Sequence, residues 1–121
     1  MPQLLSDLNV LILEDEYLIA MDVEQLCRDN GARNVVIANA IPVEDTPVVG
    51  FDVAILDLML NGTSTLSFAR KLAESGVPFV FASGYSDRVE IDQSFPGVTV
   101  VGKPYAGDDL VTAVAAACGR L

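Results

Sequence analysis

The sequence contains no histidine, and positive charge is scarce in it. Seven lysines and arginines stand against 17 aspartates and glutamates, which gives a formal net charge of −10 over 121 residues. A chain without histidine has no Ser-His-Asp triad, no histidine ligand for zinc and no phosphohistidine of its own. An acidic surface repels the phosphates of nucleic acids, so we expect no nucleic-acid partner.

Cysteines and long apolar runs are also few. No apolar stretch approaches the roughly 18 residues that span a membrane, and the N-terminus has neither a basic region nor a small-residue cleavage site. We therefore expect a cytoplasmic protein with no membrane partner. The two cysteines, Cys27 and Cys118, are expected to be reduced thiols in or near the core, with a disulfide or a redox switch as the alternative.

About half of the residues are apolar, which is enough to fill the core of one domain. Short apolar runs alternate with amphipathic ones, and this alternation predicts five strands, each followed by a helix. The predicted strands are 9–13, 34–38, 52–56, 78–82 and 98–101. The predicted helices are 16–30, a short one within 41–48, 64–75, a weak one within 86–94, and 107–118. Strands that are apolar on both faces indicate an α/β fold with a parallel (βα)5 sheet covered on both sides.

Polar residues follow four of the predicted strands, at the edge where ligands bind in sheets of this kind. In chain order they are Glu14, Asp15 and Glu16, then Asp57, then Ser83, then Lys103. Two carboxylates about 4 Å apart repel by roughly 4 kcal/mol at an effective dielectric of 20, so converging acids need a cation. Oxygen ligands suit Mg²⁺, and a carboxylate is a competent nucleophile for forming an aspartyl phosphate. The pattern therefore predicts a magnesium site that supports phosphoryl transfer.

Four segments, LILEDE, ILDLML, FASGY and GKPY, stand in this order, each where a predicted strand ends. Together they resemble the receiver domains of two-component response regulators, over the chain from about residue 9 to residue 121. The resemblance implies a flavodoxin-like, doubly wound, five-stranded parallel sheet with strand order 2-1-3-4-5. It also implies that residues 1–121 form a single receiver domain with no output domain. The stretch PFVFASGY is similar to the "FAT GUY" subgroup of receivers, which are often stand-alone.

The resemblance implies a role for each matching residue. Asp57 resembles the phosphoacceptor, and Ser83 and Lys103 resemble the residues that contact the phosphoryl group. The ligands that it implies for Mg²⁺ are Glu14, acting through water, Asp15, Asp57 and the backbone carbonyl of Met59. The partners that it implies are a sensor histidine kinase and a downstream protein or phosphorelay partner, or the domain acts as a phosphate sink.

The sequence departs from the common receiver pattern in three places. The loop after Asp57 reads LMLNG, without the usual proline, Val100 stands where many receivers carry a switch aromatic, and Gly84-Tyr85 follows Ser83. Tyr85 is therefore the candidate switch residue. The bond between Lys103 and Pro104 is typically cis in such proteins.

Three other classes of protein remain as alternatives. A haloacid-dehalogenase-like phosphatase also uses an aspartate nucleophile, but it would need a second aspartate where this chain has Met59. A pseudo-receiver would lack one of the site residues, and flavodoxin-like cofactor binding would need a glycine-rich loop after the first strand. We expect a signalling protein rather than an enzyme, with chemistry limited to its own phosphorylation and dephosphorylation.

Overall fold

The computed structural model describes residues 3–41, 48, 50–83, 88–102 and 107–120. In these ranges the strands are β1 (Asn9–Leu13), β2 (Asn34–Ala38), β3 (Val53–Leu56), β4 (Met59–Leu60), β5 (Thr63–Ser64), β6 (Phe79–Ser83) and β7 (Val100–Gly102). The helices are α1 (Tyr17–Asp29), α2 (Leu66–Glu74), α3 (Arg88–Ser94) and α4 (Gly107–Ala117).

Five of the strands form one parallel sheet in the order β2-β1-β3-β6-β7. Counted within this sheet alone, the order is 2-1-3-4-5, so the predicted flavodoxin-like fold class is confirmed. The two short strands β4 and β5 pair antiparallel as a separate hairpin. This hairpin was not predicted, because two-residue strands are too short to show an alternating pattern.

The core is divided by the sheet, and β1 shows how. Val10 and Ile12 face a cluster that α1 and α4 cover, whereas Leu11 and Leu13 face a cluster that α2 and α3 cover. Successive side chains of a strand point to opposite faces, so a strand buried on both sides must be apolar throughout. The same alternation recurs in β3, whose four residues are all buried. The central strands β1 and β3 are thereby fixed in register, which fixes where their ends meet.

The predicted bounds agree with the structure to within two residues at each end. The prediction of a short helix within 41–48 falls mostly on residues outside the described part of the chain. In the weakly predicted helix near residue 90, Ile91 is fully buried and Val89 is exposed. Phe95, just beyond that helix, packs edge-on against Phe79 with ring centroids 5.3 Å apart.

Both cysteines are free thiols, as predicted. Cys27 is a buried residue of α1 that faces the core, and burial raises the pKa of its thiol from 9.0 to about 12. Cys118 is partly buried, and burial raises the pKa of its thiol as well. Among the described residues, no helix combines the length and the apolar character needed to cross a membrane.

Candidate metal centre

Three carboxylates meet at the carboxyl edge of the central sheet. Glu14 and Asp15 follow β1, and Asp57 follows β3, its parallel neighbour. The pairing of Leu13 with Leu56 brings the two strand ends level, and the Asp57 N–H extends the ladder by donating to the Leu13 carbonyl at 3.0 Å. Each acid presents one carboxylate oxygen such that all three oxygens lie within 4.8 Å of one another. The predicted convergence of these three acids is therefore present in the structure.

The three acids differ in how far they are buried. Glu14 is only 4% exposed, Asp57 is partly buried, and Asp15 is exposed. A buried carboxylate requires polar partners, and Glu14 Oε1 accepts a hydrogen bond of 3.0 Å from the backbone N–H of Glu16. The Glu16 side chain is exposed and does not belong to the converging group. The site therefore has a buried wall at Glu14 and opens to solvent at Asp15.

The donor set fits a hard divalent cation. All three side-chain donors are carboxylate oxygens, without the sulfur or nitrogen ligands that favour zinc or copper. Like charges at this separation repel one another unless a cation lies between them. An open, oxygen-lined site also suits Mg²⁺, which retains several waters when it binds to proteins. Glu14, Asp15 and Asp57 are thus able to hold Mg²⁺ or a similar ion.

The hairpin β4–β5 begins two residues after Asp57 and borders the site. Leu60 pairs with Thr63 on either side of the two-residue turn, so the backbone groups of Leu60 face into the hairpin. The backbone groups of Met59 face the opposite way, and the Met59 N–H lies 3.5 Å from Asp57 Oδ1. The N–H and C=O of one strand residue point to the same side. The Met59 carbonyl therefore points toward the acids. The resemblance to receiver domains implies that this carbonyl is a metal ligand, and that role stays a prediction.

Asn61, the first residue of the hairpin turn, is a site neighbour that sequence reasoning missed. Its backbone N–H donates to Asp15 Oδ2 at 2.9 Å, and its side-chain amide donates to the Asn39 carbonyl at 2.7 Å. The dipeptide Asn61-Gly62 is a strong signal for a two-residue hairpin. Read in that way, it would have placed this turn beside the end of β3.

Thr65 is a second residue whose contribution was missed. It is fully buried just before α2, and its hydroxyl lies 2.6 Å from the Asp57 carbonyl oxygen and 3.1 Å from the Leu58 carbonyl oxygen. Its backbone N–H also donates to the Leu58 carbonyl at 2.7 Å. Thr65 therefore ties the backbone that carries Asp57 to the start of α2.

The remaining predicted site residues are described only in part. Ser83 ends β6 and pairs with Gly102 of β7, so its backbone lies at the same edge of the sheet as Asp57. The Ser83 side chain, Lys103 and Tyr85 lie outside the described residues. Their roles therefore stay predictions.

A pocket of about 300 Å³ opens beside the exposed acid Asp15, between the start of α1 and the end of β2. Its lining includes the exposed side chains of Tyr17 and Ile37. Leu18, the next residue of α1, is 76% exposed. Large apolar side chains thus stand in solvent next to the carboxylates.

Several solved structures with the same fold are receiver domains. The N-terminal receiver domain of a two-component response regulator from Bacteroides fragilis superposes with a TM-score of 0.80 at 20% identity, over 93% of this chain and 98% of that one. The HemR receiver domain from Leptospira biflexa gives a TM-score of 0.75 at 17% identity, over 93% and 94% of the two chains. A mutant of the anti-anti-sigma factor PhyR from Bartonella quintana gives 0.77 at 22% identity, over 97% of this chain and 50% of that one.

The present chain thus spans about half the length of that PhyR chain. No family model and no curated protein matches the sequence. At these identities the likeness concerns the fold, and the fold of this chain is that of response-regulator receiver domains.

Proposed function

We propose that the protein is the receiver of a two-component phosphorelay, in which Asp57 accepts a phosphoryl group from a sensor histidine kinase in a Mg²⁺-dependent reaction. The observation that carries the proposal is the convergence of Glu14, Asp15 and Asp57 at the carboxyl edge of a receiver-type sheet, with carboxylate oxygens within 4.8 Å. A carboxylate cluster alone is common on protein surfaces. This one stands at the edge where ligands bind in doubly wound sheets, and one member ends a central, fully buried strand.

The proposed reaction is a transfer between two nucleophiles. A carboxylate oxygen of Asp57 attacks the phosphorus of the donor phosphohistidine, an oxygen–phosphorus bond forms, and the phosphorus–nitrogen bond breaks. The electron pair of the broken bond stays on the imidazole, which takes a proton from solvent. Mg²⁺ held by Glu14, Asp15 and Asp57 would neutralise negative charge on the phosphoryl oxygens and the acids.

The chain's own residues position the acceptor for this attack. Asp57 is held by the β1–β3 ladder on one side and by the Thr65 hydroxyl on the other. Glu14 and Asp15 would hold the ion with Asp57 and with the Met59 carbonyl. Lys103 and Ser83 are proposed to contact the phosphoryl oxygens, as their counterparts do in the receivers that the sequence resembles. Phosphoryl transfer depends mainly on positioning and charge neutralisation, so the absence of histidine is no obstacle.

A protein donor is supported by the surface around the acids. Tyr17 and Leu18 are 73% and 76% exposed, and both lie on the first turn of α1, directly after the acids. A donor protein that brings phosphorus to Asp57 must cover this edge of the sheet, and apolar side chains there gain from being buried by it. Val89, on α3, is a further exposed apolar residue, in the region where Tyr85 is proposed to act as a switch.

We propose that residues 1–121 act as one receiver unit similar to the "FAT GUY" subgroup, passing the signal to a downstream protein partner or draining phosphate from a kinase. The test is phosphotransfer from autophosphorylated, radiolabelled histidine kinases of the source organism. We expect rapid transfer from at least one kinase with Mg²⁺ and none after chelation with EDTA. Absence of transfer from every kinase, or transfer that does not need a divalent ion, would contradict the proposal.

A further inference from the structure

The turn of the β4–β5 hairpin has a backbone conformation that few residues adopt. Asn61 has φ of +50° and Gly62 has φ of +81°, so both lie in the left-handed region, as in a type I′ turn. A Cβ added at Gly62 would meet nothing within 4 Å, so glycine is favoured there by the backbone conformation and not by lack of space. Asparagine is among the residues that tolerate this region best. The sequence thus specifies this turn at both positions.

The hairpin is also anchored by buried side chains in the core. Leu58 and Leu60 are almost fully buried in the cluster that α2 and α3 cover, whereas Met59 between them is exposed. Because backbone groups alternate along a strand, those of Met59 point to the side opposite to those of Leu60. The acids lie beside this part of the hairpin: the Asn61 N–H donates to Asp15 Oδ2, and the Met59 nitrogen lies 3.5 Å from Asp57 Oδ1.

From these contacts we infer that Asn61 is a positioning residue of the cation site, acting through Asp15; the inference rests on the proposed function. The Asn61 N–H holds Oδ2 of Asp15 at 2.9 Å, which fixes the orientation of that carboxylate at the site. The Asn61 side chain fixes the turn itself by donating to the Asn39 carbonyl at the end of β2. One residue thus joins the ends of β1 and β2 to the loop that follows β3.

Asp15 is the acid that most needs such support. It is exposed, and repulsion from Glu14 and Asp57 favours rotation of its side chain into solvent when no cation is bound. A donated N–H opposes this rotation and keeps the carboxylate in its binding position. Asp15 is then already ordered before the ion binds. The entropic cost of ordering its side chain is therefore not subtracted from the free energy of Mg²⁺ binding.

Two variants weaken the support without removing a proposed ligand. Asn61→Gly keeps the backbone N–H and the left-handed conformation, and loses the side-chain bond to β2. Gly62→Ala strains the turn through its backbone. We expect each to raise the Mg²⁺ dissociation constant, measured by calorimetry, by about tenfold, the lower end of the range for residues that orient metal ligands.

The chain offers a matched control for each variant. Asn30→Gly makes the same chemical change, the loss of a side-chain amide that donates to a backbone carbonyl (Leu26, 2.9 Å), at the end of α1 away from the acids. Gly76→Ala places alanine at φ of +75°, again with nothing within 4 Å of the new Cβ, in the turn after α2. Both controls should lose about as much unfolding stability as their partners and keep the Mg²⁺ dissociation constant within about twofold of wild type, as expected away from the ligands.

A second measurement needs no metal. In the ion-free protein, Asp15→Ala should speed hydrogen exchange of the Asn61 amide by about tenfold, since that amide loses its acceptor. Equal dissociation constants in the variants and their controls, or an unchanged exchange rate, would overturn the positioning role while leaving Mg²⁺ binding by the wild type intact. A wild-type protein that binds no divalent ion would instead overturn the proposed function, and this role with it.

Discussion

The hydroxyl of Thr65 lies 2.6 Å from the backbone carbonyl of Asp57, in a fully buried position. Thr65 thus donates a hydrogen bond to the backbone of Asp57 where β3 has ended. The residue proposed to carry the chemistry is therefore held through its backbone as well as by its strand.

Replacing Thr65 by valine should lower the free energy of unfolding by about 1 kcal/mol, because a buried hydroxyl loses its hydrogen bond while the shape is kept. Urea unfolding measures the change. Thr112→Val makes the same substitution at an exposed position of α4 and should stay within about 0.5 kcal/mol of wild type. If the two variants were equally stable, the Thr65 hydroxyl would have no part in holding the loop.

Removing the charge of Asp15 should weaken Mg²⁺ binding far more than removing the charge of its neighbour Glu16. Asp15 contributes an oxygen to the converging group, whereas the Glu16 side chain stands outside it. We expect Asp15→Asn to raise the Mg²⁺ dissociation constant at least about tenfold and Glu16→Gln less than about twofold, in titrations at low salt. Equal effects would mean that net charge, and not ligation, governs binding.

Ser83→Ala and Lys103→Ala should leave the Mg²⁺ dissociation constant close to that of wild type and slow phosphorylation of Asp57. Both side chains are proposed to contact phosphoryl oxygens and not the ion, and each charge-assisted bond to such an oxygen is worth about 1.5–3 kcal/mol. Calorimetry with Mg²⁺ and phosphorylation kinetics separate the two effects. Loss of Mg²⁺ affinity in Ser83→Ala would argue against the role assigned to Ser83.

Alkaline pH should destabilise the protein through Cys27. Burial is the main cause that raises the pKa of its thiol to about 12, the nearby Arg28 lowers it, and Glu24 raises it further. Between pH 9 and 12 the unfolded thiol is ionised while the folded one keeps its proton, so unfolding releases a proton and stability falls as pH rises. The fall amounts to about 1.4 kcal/mol per pH unit in this window.

Urea unfolding at about pH 8 and about pH 10.5 measures this dependence. Between these two pH values the free energy of unfolding of Cys27→Ala should fall by about 2 kcal/mol less than that of wild type. Cys118→Ala should change the loss by less, because that thiol is only partly buried. An identical pH dependence in wild type and Cys27→Ala would contradict the assignment.

The sequence predicted the sheet and the three acids because the signals for them are local. Asn9–Leu13 and Val53–Leu56 are continuous apolar runs, and the acids that follow them are adjacent once the strands are parallel neighbours. The turn at Asn61-Gly62 carries a local signal that apolar periodicity does not detect, but the contact of Asn61 with Asp15 and the hydroxyl contact of Thr65 could not be predicted in this way. Both depend on how a short loop turns back toward a strand eight residues or more away, which two-residue strands and a single threonine do not encode as a pattern.

The most direct test is to locate the phosphoryl group chemically. After phosphorylation with a histidine kinase or acetyl phosphate in Mg²⁺, borohydride reduces an aspartyl phosphate to homoserine and leaves free carboxylates unchanged, so peptide mass analysis identifies the acceptor. We predict homoserine at position 57 in wild type and in the surface control Asp92→Asn. We predict none in Asp57→Asn, and none in wild type when the phosphorylation step is carried out in EDTA instead of Mg²⁺. Homoserine at another aspartate in the wild type, or undiminished phosphorylation of Asp57→Asn, would contradict the proposal that Asp57 is the acceptor.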